Sequence, residues 1–464
     1  MQSVIWWIRR DVRLENNPAL QAALQTGLPV VPLFIIDPKL IQDPSTRRQT
    51  FLFNALHSLD KNLRTIGNRL FVRQGNPIQI LQQFFQEIPF NAIFAEEDYS
   101  PYAIQRDAAI QRNLPLKLVL GLVLHHPQQV LKADGTPYTV FTPFSKTWKT
   151  LPKALRNSTR PSVIPAHANP PASLPLPEPS SLAYFSASET EARQRLNDFI
   201  QDAIFHYREG RNELDQAGTS SLSPYLRFGL ISIQTAYQAA LQALESAQRS
   251  EEKQGVETWI SELIWREFYI SILYHFPNVL QEAFYPHRRQ IPWRTNHAEL
   301  LAWQQGLTGY PIVDACMRQL NETGWMHNRG RMIVASFLTK DLLLNWQSGE
   351  RYFMQQLVDG DPAANNGGWQ WTAGVGTDAA PYFRIFNPIL QSKKFDPHGN
   401  FIRKWVPELT NVSTQYIHEP WTMPLDFQKQ SHFVIGKDYP VPIVDRSIVK
   451  DRVLQAFQMF SQKS

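Results

Sequence analysis

Hydroxyl side chains are concentrated in one short stretch of the chain, Gly218–Pro224, directly before a helical pattern. Its hydroxyl residues are Thr219, Ser220, Ser221 and Ser223. Small hydroxyl residues and free backbone N–H groups at a helix N-terminus can bind an anion, whereas capping that helix needs only one hydroxyl. The stretch therefore leaves two interpretations open, plain helix capping and a binding site for a phosphate-like group.

A second candidate site lies in the stretch 257–267, ETWISELIWRE, whose apolar residues follow helical spacing. Trp259, Glu262 and Arg266 are three or four residues apart and share one side of the predicted helix, while Trp265 turns away from Trp259. A carboxylate and two indoles at this spacing suit a flat ligand with polar edges. Core packing of the indoles, with the charged residues in a surface salt bridge, explains the pattern equally well.

Two further stretches combine polar and aromatic residues. Residues 325–332, WMHNRGRM, mix basic, amide and soft apolar side chains. Residues 359–371, DGDPAANNGGWQW, place two aspartates, two asparagines and two tryptophans in a predicted irregular loop of a helical region. Irregular polar backbone inside a domain usually lines a site, so this loop is predicted to be functional.

Common catalytic motifs are absent from the sequence. The first strand pattern, Val4–Ile8, leads into Arg-Arg-Asp at 9–11 rather than the glycine-rich turn of a dinucleotide site. No GxxxxGK[ST], HExxH or GxSxG motif occurs. The single cysteine, Cys316, excludes an internal disulfide framework, and the histidine pair 125–126 has no suitably spaced third ligand, so no metal site is predicted.

The elements that must position these stretches fall into three parts. Over residues 1–130, short apolar runs alternate with helical patterns, which predicts βαβ units and a doubly wound parallel sheet. Residues 131–190 are predicted to be an extended linker, because seven prolines lie between Pro161 and Pro179. Over 191–464 the apolar spacing is helical, so the fold class is an α/β domain, a linker and an all-helical domain.

Composition indicates an ordinary globular protein of 464 residues, with 46 Lys+Arg against 41 Asp+Glu and a formal charge of +5. That mild excess permits a polyanionic partner without demonstrating one. Because no apolar run of about 18 residues and no signal peptide pattern occurs, we expect a cytoplasmic protein with no membrane association. Of the 13 tryptophans, ten lie between Trp259 and Trp421, which indicates a large aromatic core or a specific use of indole.

Long motifs in a fixed order carry a resemblance over almost the whole chain. They are TSSLSPYLRFG, ELIWREF, GWMHNRGRM, DGDPAANNGGWQW and GTDAAPYFRIFNP, preceded by WIRRDVRLENNPAL and followed by KKFDPHGNFIRKWVPEL. The chain therefore resembles the photolyase/cryptochrome flavoprotein family, and within it the class I cyclobutane pyrimidine dimer photolyases. The resemblance implies light-driven repair of UV-damaged DNA, in which photoexcited reduced FAD passes an electron to the flipped-out dimer. A cryptochrome-type photoreceptor that acts in signalling is the alternative.

The resemblance also implies which residues hold FAD in the helical domain. The hydroxyl-rich stretch would grip the pyrophosphate, two aspartates would accept hydrogen bonds from flavin or ribose, and Asn365 would face flavin N5. The implied cofactor-binding residues are Tyr207, Arg211, Thr219, Ser220, Ser221, Leu222, Ser223, Trp259, Arg266, Asn328, Arg331, Asp359, Asp361 and Asn365.

Electron transfer and lesion binding are implied for two further groups. Trp369, Trp346 and Trp293 match the chain of indoles that carries an electron from the surface to the excited flavin. Together with Glu262, which would hydrogen-bond the base edge, and Asn365, they are the implied catalytic residues. The implied lesion and DNA contacts are Glu262, Trp265 and Trp371 on the bases, Asn328 and Met332 on the dimer, and Arg329 and Lys393 on phosphates.

Three details bear on the branch and on the antenna chromophore. A His-Asn pair at 327–328 stands where (6-4) photolyases carry two histidines, and the chain stops where a signalling cryptochrome often adds a long tail. Both favour repair of cyclobutane dimers. Ser100 stands where the folate-binding branch has Glu, whereas Arg48, Asp98 and Arg227 partly match the deazaflavin branch. We therefore expect FAD with an 8-hydroxy-5-deazaflavin or another flavin as antenna, in a protein that acts as a monomer.

Overall fold

The computed structural model describes residues 2–41, 45–155, 159–182, 184–381, 384–430 and 432–458. A parallel sheet of five strands occupies the N-terminal part, in the order β3-β2-β1-β4-β5. The strands are β1 (Ser3–Ile8), β2 (Val30–Ile36), β3 (Phe71–Gln74), β4 (Phe90–Glu96) and β5 (Leu116–Val119). Both β1 and β2 are buried along their whole length, as is typical of a parallel sheet covered on both faces. The predicted doubly wound sheet is confirmed.

Helices connect successive strands: α1 (Pro18–Leu24), α2 (Pro38–Ile41), α3 (Thr46–Thr65), α4 (Pro77–Glu87) and α5 (Pro101–Gln111). Three of them, α1, α4 and α5, begin alike. The caps Asn17, Asn76 and Ser100 each accept a hydrogen bond from a backbone N–H of their helix, and a proline follows in the first turn. Proline there already has a helical φ and lacks only an N–H that would have no partner. Local sequence therefore decides where these helices begin.

Residues 131–190 contain α6 (Phe141–Thr150) and, at their end, the first two residues of α7 (Glu189–Gln201); their other described positions form no helix and no strand. α6 was not expected in a linker, and it forms with Phe144 and Trp148, four residues apart, buried on one side. The proline-rich part lies along the sheet, because the N–H of Val30 donates to the carbonyl oxygen of Pro165 at 2.8 Å. Residues 156–158 and 183 of the predicted linker lie outside the described residues.

The remaining helices follow in chain order. They are α7 (Glu189–Gln201), α8 (Tyr207–Gly210), α9 (Ser223–Phe228), α10 (Ile233–Ser246), α11 (Ser250–His275), α12 (His297–Gln305), α13 (Pro311–Thr323), α14 (Asn328–Ser336), α15 (Trp346–Gln356), α16 (Pro362–Ala373), α17 (Pro388–Phe395), α18 (Asn400–Trp405), α19 (Leu425–Gln430) and α20 (Val449–Gln458). A π-helical turn, Phe337–Asp341, follows α14, and 3₁₀ turns lie at Pro277–Leu280, Pro286–Arg288, Pro407–Leu409, Pro420–Thr422 and Arg446–Ile448. The predicted helical C-terminal part is confirmed. None of the described helices combines the length and the apolar character needed to cross a bilayer.

The stretch 359–371 is not the irregular loop that its composition predicted, because Pro362–Ala373 is a helix. The backbone N–H of Ala363 donates to Oδ1 of Asp361 at 2.9 Å, and Pro362 is the first helical residue. An aspartate cap followed by proline is a strong helix start, which the asparagines and glycines after it obscured in the sequence. Most of the polar and aromatic residues of this stretch therefore lie on a regular, rigid element.

The described residues form two compact units. The first unit comprises Met1–His206, Ser220–Pro277 and Val358–Ala363, and the helical unit comprises Tyr207–Thr219, Asn278–Leu357 and Ala364–Ser464. An apolar core that includes the fully buried Ile93 surrounds the sheet of the first unit. A second core, which includes Trp369, fills the helical unit. Residues 220–277 thus belong to the same unit as the sheet, and the domain boundaries near residues 130 and 190 stay a prediction.

Candidate functional site

The hydroxyl-rich loop Ser220–Ser223 leads into α9 in the first unit. Leu222, which has no polar side chain, occupies the N-cap position, and no described side chain caps the helix. Ser221 has φ +49°, a left-handed conformation that costs a residue with a Cβ about 1 kcal/mol or more. A hydroxyl residue thus does not occupy the N-cap position, and the hydroxyl and backbone donors of the loop suit the acceptor oxygens of a pyrophosphate.

Four of the predicted site residues lie on α11, in the first unit. Trp259 is buried, with its ring centroid 5.2 Å from that of Phe199, and Glu262 is half-buried. Trp265 stacks on Phe141, with ring centroids 3.7 Å apart and an angle of 4° between the planes. Because this stacking fixes the plane of the indole, Trp265 suits a platform on which a flat base can stack.

Charged residues of α11 form hydrogen bonds with the segments that follow β5. Nη1 of Arg266 donates to the carbonyl oxygen of Leu122 at 2.9 Å. The buried carboxylate of Glu267 accepts from the backbone N–H of Leu124 at 2.6 Å and from Nε1 of Trp148 at 2.7 Å. Burial lowers the pKa of Arg266 and raises the pKa of Glu267. These bonds offset the burial of two charged groups and hold α11 in place.

The predicted antenna residues and one predicted FAD residue share an ionic cluster in the first unit. Arg10, directly after β1, has Nη2 2.5 Å from Oδ2 of Asp361 and Nη1 3.6 Å from Oδ2 of Asp98. Nε of Arg227 donates to the carbonyl oxygen of Gly360 at 2.9 Å and lies 3.7 Å from Oδ2 of Asp361. Sequence reasoning missed Arg10. The only signal was its position after β1, which pairs with β4 where the strand order reverses and ligands commonly bind.

The charged groups of this cluster shift one another's pKa values. Burial lowers the pKa of Arg227 to about 9, with repulsion from Arg10 and, more weakly, from Arg48 acting in the same direction. Burial also opposes the charge of Arg10, but Asp361 and then Asp98 outweigh it and raise its pKa. Although burial opposes the ionisation of Asp98, Arg10 lowers its pKa well below the usual range. All three antenna candidates therefore lie in one charged environment.

The start of α14, in the helical unit, brings predicted lesion contacts together. Nδ1 of His327 accepts a hydrogen bond from the backbone N–H of Arg329 at 3.1 Å and so caps the helix. Nδ2 of the exposed Asn328 lies 4.0 Å from the sulfur of Met332. Nε of Arg331 donates to a backbone carbonyl of the preceding loop at 2.8 Å. Asn328 and Met332 are thus neighbours, as joint contacts to one ligand require.

Both predicted phosphate contacts have protein partners. The guanidinium of Arg329 donates to the side-chain oxygen of Asn212. Burial lowers the pKa of Arg329, and the nearby Arg211 lowers it further. Nζ of the exposed Lys393 lies 2.6 Å from Oε1 of Glu419. An exposed ion pair is worth at most about 1 kcal/mol, so a phosphate can compete with Glu419 for this lysine.

The three predicted electron-transfer indoles belong to the core of the helical unit. Trp369 and Trp346 are buried in it, and Trp293 packs against it. Trp369 lies edge-on to Phe353, with centroids 5.0 Å apart, and to Trp303, with centroids 6.0 Å apart. The core therefore fixes the ring of Trp369, an arrangement that serves packing as well as electron transfer.

Asn365 and Trp371 also lie on α16. Nδ2 of Asn365 donates to the backbone carbonyl of Glu350 at 3.0 Å, which orients the amide so that Oδ1 is the atom able to accept from a ligand N–H. Burial raises the pKa of Glu350 to about 7, against the lowering effect of a hydrogen bond from Asn366. Trp371 is half-buried.

The predicted cofactor residues are divided between the two units. The first unit contains Ser220, Ser221, Leu222, Ser223, Trp259, Arg266, Asp359 and Asp361, and the helical unit contains Tyr207, Arg211, Thr219, Asn328, Arg331 and Asn365. In the helical unit the guanidinium of Arg211 lies 6.0 Å from the ring centroid of Tyr207. Within the described ranges, no three His, Cys, Asp or Glu side chains are grouped so that they could hold a metal ion.

The chain combines a parallel α/β sheet with a mainly helical remainder, a hydroxyl-rich loop and a core rich in indoles. Its family follows from two matched segments. Residues 4–166 match the family model for DNA photolyase, and residues 259–459 match that for the FAD binding domain of DNA photolyase. The chain belongs to the photolyase/cryptochrome family, as its motifs predicted.

Similar proteins cover almost the whole chain. A deoxyribodipyrimidine photo-lyase of Synechococcus sp. is 40% identical, over 96% of this chain and 94% of its own. The crystal structure of a class III photolyase from Agrobacterium tumefaciens is 36% identical, with a TM-score of 0.93 over 99% of this chain and 98% of that chain. A cryptochrome of Synechocystis sp. is 30% identical, with a TM-score of 0.90 over 98% and 99% of the two chains. An archaeal photolyase from Sulfolobus tokodaii with two FAD molecules is 32% identical, with a TM-score of 0.82 over 99% and 100%. The finer class of this chain within the family stays a prediction.

Proposed function

We propose that this chain repairs UV-damaged DNA with light, splitting cyclobutane pyrimidine dimers by electron transfer from photoexcited reduced FAD to the flipped-out lesion. The observation that carries the proposal is the similarity to a deoxyribodipyrimidine photo-lyase, 40% identical over 96% of the chain. The enzyme is then a carbon–carbon lyase whose substrate is damaged DNA, and we propose a part in this activity for the predicted site residues.

The predicted cofactor residues have the chemistry that FAD requires. The donors of Ser220–Ser223 would hold the pyrophosphate, because small hydroxyl residues and backbone N–H groups that lead into a helix suit an anion. Asp359 and Asp361 would accept hydrogen bonds from flavin or ribose. Bound FAD supplies the light-absorbing electron donor. Asn365 would present Oδ1 to a protonated flavin N5, since its Nδ2 is bonded to the carbonyl of Glu350.

The lesion contacts follow from the same elements. A cyclobutane dimer is poorly stacked in the duplex, which lowers the free energy needed to flip it out. Trp265, fixed by Phe141, and Trp371 would then stack on the pyrimidines, which contributes about 1–3 kcal/mol per base. Glu262 would hydrogen-bond the base edge and stabilise the charge that the transferred electron brings to the dimer.

Other residues would position the DNA and supply electrons to the oxidised flavin. Arg329 and Lys393 would contact phosphates, which place the strand without reading its sequence. The indoles of Trp369, Trp346 and Trp293 would return the oxidised protein to its active state, because indole is oxidisable and these rings share one core. Photoreduction depends on this relay, whereas the repair turnover itself does not.

The antenna chromophore is proposed to be 8-hydroxy-5-deazaflavin or another flavin. Support comes from the ionic cluster in which Arg10 contacts both Asp98 and Arg227, with Arg48 near enough to repel Arg227. It lies at the carboxyl edge of the sheet, a common ligand position in doubly wound folds. An absorption spectrum of the purified protein tests this, because flavin, folate and deazaflavin absorb at different wavelengths. A folate spectrum would overturn the proposal. Size-exclusion chromatography and cell fractionation test the proposed monomer and its cytoplasmic location.

A second candidate function is that of a flavin photoreceptor, favoured by the likeness to the Synechocystis cryptochrome. Photoreactivation separates the two. A UV-irradiated plasmid is introduced into a bacterial strain that lacks photolyase and expresses this chain, and transformants are counted after blue light or darkness. Repair predicts recovery only in the light, whereas equal counts in light and darkness would leave the photoreceptor. Empty vector in the same strain is the control.

A further inference from the structure

Arg10 follows β1 and contacts two groups of residues that the sequence analysis assigned to separate sites. Its Nη2 is 2.5 Å from Oδ2 of Asp361, and its Nη1 is 3.6 Å from Oδ2 of Asp98. Its Nε donates to the carbonyl oxygen of Arg227 at 3.2 Å. One guanidinium therefore contacts the flavin-side loop, Val358–Ala363, the antenna-side carboxylate and α9.

The flavin-side loop is held by two arginines. Besides its pairing with Arg10, Asp361 accepts from the N–H of Ala363 through Oδ1 at 2.9 Å. Arg227 donates to the carbonyl of Gly360 at 2.9 Å. A planar guanidinium with several donors fixes the orientation of a carboxylate more strictly than a point charge does. Asp361, which is expected to accept a hydrogen bond from the cofactor, thus takes its orientation from Arg10.

The backbone around Arg10 leaves little room for adjustment. Gly229, at the end of α9, has φ +65°, and a Cβ there would lie 1.9 Å from the carbonyl oxygen of Arg10. The N–H of Val12 donates to the carbonyl of Phe228 at 3.1 Å. α9 and the segment after β1 are therefore in direct contact. A displacement of Arg10 would for this reason also displace α9 and the flavin-side loop.

The neighbouring Arg9 forms its ion pair with a residue outside the predicted sites. It pairs with Asp107 on α5 at 2.6 Å, with both side chains almost fully buried, and its guanidinium lies 4.9 Å from the ring centroid of Trp7. Neither partner belongs to a predicted site. Arg10 differs because Asp361, Asp98 and Arg227 are all predicted chromophore contacts.

We propose that Arg10 is a positioning residue that couples the two chromophore sites, because it shares its guanidinium between Asp361 of the flavin-side loop and Asp98 of the antenna edge. A change at Asp98 redistributes the donors of Arg10 and so changes how firmly Asp361 is oriented. Coupling of this kind is reciprocal, so occupancy of the antenna edge and retention of FAD influence each other. The inference rests on the proposed function, since it takes FAD as the cofactor at Asp361.

The first test measures how fast the FAD-loaded protein releases FAD, from the rise in flavin fluorescence after dilution. Arg10→Gln is expected to release FAD about tenfold faster or more, the loss typical of a charge-assisted hydrogen bond. Arg10→Lys keeps the charge and is expected to recover part of the loss. Arg9→Gln is the matched control, and we expect it to lower the unfolding temperature while changing FAD release less than about threefold.

The second test is a double-mutant cycle on FAD release with Asp98→Asn, Arg10→Lys and the combined variant. Coupling predicts that the effect of Asp98→Asn differs by about threefold or more between the wild-type and Arg10→Lys backgrounds. Equal release from Arg10→Gln and Arg9→Gln, or additive effects in the cycle, would overturn the inference. Failure of the proposed function is a separate outcome, because it shows as wild-type protein that binds no FAD or repairs no dimers.

Discussion

Replacing Gly349 by alanine adds a single methyl group, which should displace Trp369 and so disturb the predicted electron relay. Gly349 is buried on α15, and a Cβ there would lie 2.1 Å from Cη2 of Trp369 and 2.7 Å from Cδ2 of Leu338. No real Cβ contact is that short, so something must move. Because the ring of Trp369 also packs edge-on against Phe353 and Trp303, it can only shift by disrupting these contacts.

Two opposing contributions decide how Gly349→Ala changes the free energy of unfolding. Overpacking a core typically costs about 1–3 kcal/mol, whereas alanine is favoured over glycine in a helix by about 1 kcal/mol. The net loss in free energy of unfolding is then about 1 kcal/mol. Gly368→Ala is the matched control on α16, since a Cβ there meets nothing within 4 Å. It should gain about 1 kcal/mol, so the two variants should differ by about 2 kcal/mol.

Urea titration measures the stabilities, and illumination of oxidised protein in the presence of a reductant measures photoreduction of the flavin. We expect Gly349→Ala to be less stable than wild type and to photoreduce more slowly, because its indole is displaced. Gly368→Ala should photoreduce at the wild-type rate. If Gly349→Ala matched Gly368→Ala in both stability and photoreduction, the reasoning about Trp369 would be refuted.

Three further variants test other parts of the site. Trp293→Phe should slow photoreduction yet leave dimer splitting by chemically reduced protein unchanged, and a loss of that splitting would contradict a relay role. Burial raises the pKa of Glu350 to about 7, above its usual 4.5, so its stabilising contribution is present at low pH and is lost as pH rises through 7. The unfolding temperature of Glu350→Gln relative to wild type should therefore rise between pH 5 and 8, and a constant difference would show that this carboxyl does not titrate as stated. Trp265→Ala should weaken binding of dimer-containing DNA about tenfold or more while leaving undamaged DNA unaffected, because stacking contributes about 1–3 kcal/mol per base. Equal losses for both DNAs in a filter-binding assay would contradict stacking on the lesion.

Local patterns predicted most of the fold, since strand and helix periods are properties of a few adjacent residues. The first strand pattern, Val4–Ile8, lies within β1, Ser3–Ile8, and the alternating patterns of residues 1–130 correspond to five strands joined by helices. α16 was missed because its asparagines and glycines are typical of turns, although Asp361 and Pro362 form a regular helix start.

The site was predicted less completely, because its most connected residue depends on distant partners. Arg10 and Asp361 are 351 positions apart, so no local spacing indicates that they pair. The stacking of Trp265 on Phe141 is a similar case, since Phe141 belongs to a region predicted to be an extended linker. Motif resemblance named candidate residues, whereas the contacts that orient them required the folded chain.

The most direct test of the central claim is the recovery of thymine absorbance in the ultraviolet. Purified, chemically reduced protein is mixed with UV-damaged oligothymidine and illuminated with blue or near-UV light, with a dark sample and Glu262→Ala as controls. Light-driven repair predicts that absorbance recovers in the light, more slowly with the Glu262 variant and not at all in the dark. Absorbance that stays flat under illumination, with FAD bound and reduced, would contradict the claim that this chain splits cyclobutane dimers.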